Sequence, residues 1–178
     1  VVPMKRKDAK EVKDIAALKR IFPYLMKGRN ESAVYFHEEI DMGEVIKFLK
    51  QKNAGLPKKR YGIFHVFLTT IVRSFALRPQ MNRFIMNHRY YQRNDIIFSF
   101  IVKRQMTDEG DERTAVITFD PDDTLDTVAA RVDENIERAR NDDSHEDEDT
   151  IKAVLKLPKF IVTSFIALLR KLDAIGKM

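Results

Sequence analysis

Cysteine is absent from the 178 residues. That excludes disulfides, thiolate zinc sites and cysteine nucleophiles, and it fits a reducing compartment. Only six glycines occur, and they are scattered. No glycine-rich loop is therefore available to cradle a nucleotide phosphate, and neither a Gly-x-Ser-x-Gly elbow nor a His-Glu-x-x-His zinc motif can be found. The charged opening, residues 1–10, lacks the apolar core of a secretory signal. The longest near-apolar run, Phe160 to Leu169, is too short for a membrane span and contains Thr163 and Ser164. A cytoplasmic chain with no membrane partner is the expectation.

What is present is charge, unevenly spread. Residues 1–30 carry nine Lys/Arg against three Asp/Glu, whereas residues 120–150 carry three Arg against thirteen Asp/Glu. The basic residues are spread over several segments without a nucleic-acid-reading motif, so the net charge of +5 does not argue for a nucleic-acid partner.

The apolar pattern divides the chain into elements. Ser32 to Ile40 is rich in β-formers and predicts a strand. Asp41-Met42-Gly43-Glu44 has the form of a capping box, opening a helix that carries Val45, Ile46, Phe48 and Leu49 and runs to about Asn53. A basic loop reaches Arg60. Ile63 to Leu77, apolar nearly all round and closed by Arg78-Pro79, predicts a buried helix. Asn82 to Ile85 and Arg89 to Arg93 flank a turn at Met86-Asn87-His88 and predict a hairpin. The continuous run Ile96 to Val102 suits a strand buried on both faces. A polar turn at Thr107 to Asp111 leads to a strand at Thr114 to Phe119, its antiparallel partner. Asp120 to Thr124 caps a helix from Leu125 to about Arg140, with basic residues in its last turn. An acidic connector, Asn141 to Asp149, precedes two helical segments, Ile151 to Leu157 and Phe160 to Ala174. The order predicts one domain over residues 1–178, α/β in the α+β sense.

Chemistry-bearing residues are sparse. His65 falls within the buried helix and reads as a hydrogen-bonded core histidine. His88 belongs to the hairpin turn and His145 to the acidic connector, which has nothing to fix a metal's ligand geometry; no metal is expected. His37 and Asp41 satisfy a bare His-x-x-x-Asp spacing. On a strand, however, residues four apart are separated by about 13 Å, too far for contact, and Asp41 is accounted for as a helix cap.

Several strings, taken in order, resemble the catalytic domain of 2-oxoacid dehydrogenase acyltransferases and the related chloramphenicol acetyltransferase plan. They are Glu39-Ile40-Asp41-Met42-Gly43-Glu44-Val45 at a strand-to-helix junction, the apolar helix running into Arg78-Pro79-Gln80-Met81-Asn82, and the strands Asp95 to Val102 and Thr114 to Phe119 followed by Asp120 to Thr127 and a helix. The opening Val2-Pro3-Met4-Lys5-Arg6-Lys7 and the string Tyr91 to Gly110 are similar to bacterial proteins of this kind that lack lipoyl domains. The resemblance covers roughly the first two thirds of the family domain. It implies a two-layer sandwich with a mixed β-sheet, a homotrimer, and acyl transfer between coenzyme A and a thiol or hydroxyl acceptor at a site between subunits. The histidine of the family's late His-x-x-x-Asp-Gly segment would lie beyond Met178, so no catalytic residue is carried over, and the 178 residues alone are expected to be inactive. No lipoyl-lysine motif is present. By position, Tyr35, His37, Ser99 and Phe100 are the substrate-lining candidates. The alternative is a non-catalytic oligomeric scaffold of the same fold.

Overall fold

The computed structural model describes residues 6–26, 28–57, 60–103, 112–141, 154 and 156–174. The expected turn at 107–111, the acidic connector at 142–149 and most of the helical segment at 151–157 lie outside them. The described elements are β1 (Ala9–Glu11), α1 (Ala17–Leu25), α2 (Gly43–Asn53), α3 (Ile63–Leu77), a short 3-10 turn (Pro79–Asn82), β2 (Arg83–Met86), β3 (Arg89–Arg93), β4 (Ile96–Lys103), β5 (Glu112–Phe119), α4 (Leu125–Asn141) and α5 (Lys159–Ala174). The protein is thus mixed α and β. Its strands form two antiparallel sheets, one ordered β1-β3-β2 and one pairing β4 with β5. The single mixed sheet implied by the resemblance is not formed among the described residues. Nor is any described helix long and apolar enough to cross a membrane.

The main core lies between the β4–β5 ladder and two helices. Leu68 and Val72 of α3 meet Ile96, Ile117 and Phe119 of the strands and Val128 and Val132 of α4, with Phe75, Phe98, Phe100 and Ile136 packed around them. Val72, Val128 and Val132 are fully buried. A smaller cluster joins Leu49 of α2 to Tyr61 and to Ala129 of α4. α4 starts where Asp120 to Thr124 places it, with Thr124 and Thr127 exchanging backbone and hydroxyl hydrogen bonds at 2.9 and 3.4 Å.

Ile96 to Val102 is a strand as expected, but only one face is buried. Inward residues alternate with the exposed Ile97, Ser99 and Ile101, because the described helices α3 and α4 cover one side of this ladder. The helix at Ile63–Leu77 has the expected bounds, yet Ile63, Phe64, Phe67 and Leu77 are exposed. The capping box at Asp41 and Glu44 is replaced. Asp41 Oδ1 accepts from the Gly43 amide at 2.8 Å, and Glu44 pairs with Lys47 instead of reaching back. The hairpin is a two-residue turn in which Asn87 (φ 49°) and His88 (φ 61°) both adopt the left-handed conformation that type I′ geometry requires.

Two elements have no counterpart in the sequence reading. β1 adds an edge strand to β3, in the register Ala9 with Arg93 and Glu11 with Tyr91. α1 follows it and carries Pro23 within its span. The N-terminal arm is fixed to α5 through Arg6, which donates to Asp173 at 2.7 and 2.8 Å while pairing with Asp8.

Candidate functional site

Ser99 and Phe100 are neighbours on β4, so the pleat sends them to opposite faces of the ladder. Phe100 turns inward and meets Phe64 of α3 edge-on, with ring centroids 5.3 Å apart. Ser99 stands on the open face opposite Val116, in a row that also holds Ile97 with Thr118 and Ile101 with Thr114. Its hydroxyl has no hydrogen-bond partner among the described residues. An unpartnered hydroxyl on this open face is suited to receiving a ligand or a covering chain, but no base among the described residues is arranged to activate it.

Tyr35 and His37 lie in the segment expected to be a strand. Residues 33–42 form none. The reason is physical: a strand needs a partner's amides and carbonyls, and no described edge of this chain takes the segment up. Val34, Tyr35 and Phe36 are 89, 92 and 85 % exposed, and Ile40 is exposed as well. The His37 imidazole faces Glu39 at 3.7 Å, while the Asp41 carboxylate is engaged with Gly43. The His-x-x-x-Asp spacing therefore makes no pair. The structure does not gather the four candidates: one pair lies on an unpaired arm, and the other is divided between two faces of β4.

The polar groups that are gathered lie at the α2–α3 junction. Asn53 closes the basic loop with four hydrogen bonds. Its Nδ2 donates to the carbonyls of Leu49 and Tyr61 at 2.8 and 2.9 Å. Its Oδ1 accepts from the amides of Arg60 and Tyr61 at 3.0 and 2.9 Å. Gly55, at φ +80°, provides the left-handed step that turns the chain out of α2. Tyr61, buried by this closure, donates its hydroxyl to Asp126 Oδ1 at 2.6 Å, and Lys52 reaches the same carboxylate at 3.0 Å. The Tyr61 hydrogen bond, then that of Lys52, holds Asp126 below the usual carboxylate range. Asp126 in turn raises the Tyr61 hydroxyl above its ordinary value.

His65 stands one turn into α3, at the position where a capping box would carry Glu or Gln. Its Nδ1 accepts from the Gly62 amide at 3.1 Å. A ring whose Nδ1 accepts carries the neutral proton on Nε2, and Nε2 faces Asp133 of α4 at 3.7 Å. Burial lowers the His65 pKa, opposed by the Asp133 charge. This agrees with its reading as a hydrogen-bonded histidine of the interior. Beside it opens a cleft of about 380 Å³ lined by Leu56, Pro57, Arg60, Asp133, Glu137 and Arg140 among others. Two guanidiniums and two carboxylates offset one another there, so the cleft selects no ligand charge. No group of three or more His, Asp or Glu suited to a metal ion occurs among the described residues. The Asn53 closure and the Tyr61–Asp126 pair were not foreseen; the one available signal was an amide side chain and a glycine at the end of a helix.

No family model, curated protein sequence or solved structure matches the chain.

Proposed function

We propose that these residues form part of an acyltransferase-like domain of the chloramphenicol acetyltransferase plan. In this reading it works as a homotrimer, transferring an acyl group between coenzyme A and a small thiol or hydroxyl acceptor at sites built between copies. The observation that carries the reading is the pairing of two unsatisfied surfaces. The arm Val34 to Ile40 is rich in β-formers and has no ladder partner among the described residues, while on the outer face of β4–β5 Ile97, Ile101 and Val116 are exposed. Apolar side chains left open on a sheet face favour a contact with another chain, and an unpaired β-forming segment is completed by adding to a sheet edge of another copy. A site between copies brings Tyr35 and His37 from one copy toward Ser99 of the next, which the isolated chain leaves apart. None of the described residues is proposed as the general base.

The test is acyl transfer from acetyl-coenzyme A to a dithiol acceptor, followed as free thiol. The 178 residues alone should give no turnover above the uncatalysed rate. Turnover abolished by His37→Ala would overturn the exclusion of His37 as the base. A stable trimer that neither binds coenzyme A nor transfers acyl groups would favour the scaffold reading.

A further inference from the structure

A second concave surface lies between α1 and the β2–β3 hairpin, away from β4–β5. It encloses about 840 Å³, and its lining includes Glu11, Lys13, Arg20, Tyr24, His88 and Arg89. Ile15, Ala17 and Ile21 add apolar side chains to the lining. The cations are unevenly satisfied. Arg89 pairs with Glu11, the one acidic residue among the described lining residues, at 3.2 Å. Lys13 and Arg20 are exposed and have no side-chain partner among the described residues. The cleft therefore presents two uncommitted positive charges on one concave surface, which favours an anion there. At one side the Tyr24 and His88 rings stack with centroids 4.5 Å apart and planes inclined by 13°. His88 is held there by a left-handed backbone, where glycine would be the undemanding residue and an imidazole is kept at some conformational cost. The pair makes a planar platform, and Tyr24 is largely exposed to receive a third ring.

We infer that this cleft binds a small ligand of the nucleotide class, with its phosphates at Lys13 and Arg20 and its base stacked on the Tyr24–His88 platform. The inference stands apart from the acyl-transfer reading. A coenzyme carrying an adenine nucleotide and a free nucleotide share the same recognition chemistry here.

Titration calorimetry at low salt with ADP, coenzyme A and pyrophosphate tests it on the full chain. ADP should bind saturably and more tightly than pyrophosphate. Lys13→Ala and Arg20→Ala should each weaken ADP about tenfold, the loss of one charge-assisted contact. Tyr24→Ala should weaken ADP by a similar factor and leave pyrophosphate unchanged. Coenzyme A binding more tightly than ADP, and displaced by it, would identify a coenzyme as the source; coenzyme A binding no more tightly would identify a free nucleotide. Absence of saturation with ADP, equal affinity for ADP and pyrophosphate, or ADP binding unaffected by both cation variants would overturn the inference. Coenzyme A binding that ignores these variants would remove the cleft and leave the acyl-transfer proposal standing. Far-ultraviolet circular dichroism of each variant controls for folding; both cations are exposed and unpartnered, so their removal should leave the spectrum unchanged.

Discussion

The phenol of Tyr90 donates to the carbonyl of Lys19 at 2.7 Å. That carbonyl lies four residues before Pro23, whose ring nitrogen carries no proton. Proline would leave Lys19 without its helical donor, and a tyrosine from the neighbouring hairpin takes the vacant place. One hydrogen bond thus repairs α1 and docks it on β3.

Tyr90→Phe should destabilise the protein by about 0.5–1 kcal/mol, at the lower end for a hydrogen bond because the site is open to water. Pro23→Ala restores an intrahelical donor to the same carbonyl. In that background Tyr90→Phe should cost less. A double-mutant cycle by urea denaturation measures the difference; equal costs in both backgrounds would contradict the exchange of donors.

Asn53→Ala removes four hydrogen bonds at once and leaves backbone groups of Leu49, Arg60 and Tyr61 to find other partners. A loss of about 2–3 kcal/mol is expected. Asn53→Asp keeps the acceptor side but sets a carboxylate oxygen against the carbonyls of Leu49 and Tyr61, and should cost at least as much. Denaturation midpoints of the two variants check the order.

The Tyr61–Asp126 contact has a defined pH window. Because Asp126 is held below the ordinary carboxylate value of about 3.9, its contribution is present above that value and is lost as pH falls through the folded pKa. Tyr61 is raised, so the contact persists up to its ordinary value near 10 and weakens as pH rises through the raised one. Thermal unfolding of the wild type and Asp126→Asn from pH 7 downward should show a stability gap that closes under acid. A gap independent of pH would contradict the assignment.

His65 should titrate below its ordinary 6.5, since burial outweighs the pull of Asp133. The unfolded chain takes up this proton near 6.5 and the folded chain only at lower pH, so stability falls as pH drops through that interval. Asp133→Asn removes the opposing charge and should lower the midpoint further. Imidazole resonances followed by NMR report both shifts.

The parts legible in the sequence are those whose pattern is local. The hairpin at 83–93 follows from two β-forming runs around Asn87, a residue that tolerates the left-handed turn. α3 follows from a long apolar run closed by Pro79, and α4 from the cap at Asp120 to Thr124 and the basic residues of its last turn. Elements that depend on distant partners were not legible. β1 is three residues of a charged stretch made a strand by pairing with β3, about 80 residues away in sequence. In α1 the donor that Pro23 lacks is supplied by Tyr90, 71 residues from the carbonyl it serves. Conversely, residues 33–42 have strand composition without a strand, because composition cannot provide the partner edge. The candidates Tyr35 and His37 inherited that difficulty, while Ser99 and Phe100 lay on a strand whose open face was not predicted.

The central claim, that the arm and the open β4–β5 face are completed by further copies, is tested most directly by sedimentation equilibrium of the 178-residue chain. The account predicts a species of three times the chain mass at micromolar concentration, reduced to one chain mass by Phe36→Asp with the far-ultraviolet spectrum unchanged. A single-chain species at every concentration, or a trimer indifferent to Phe36→Asp, would contradict it.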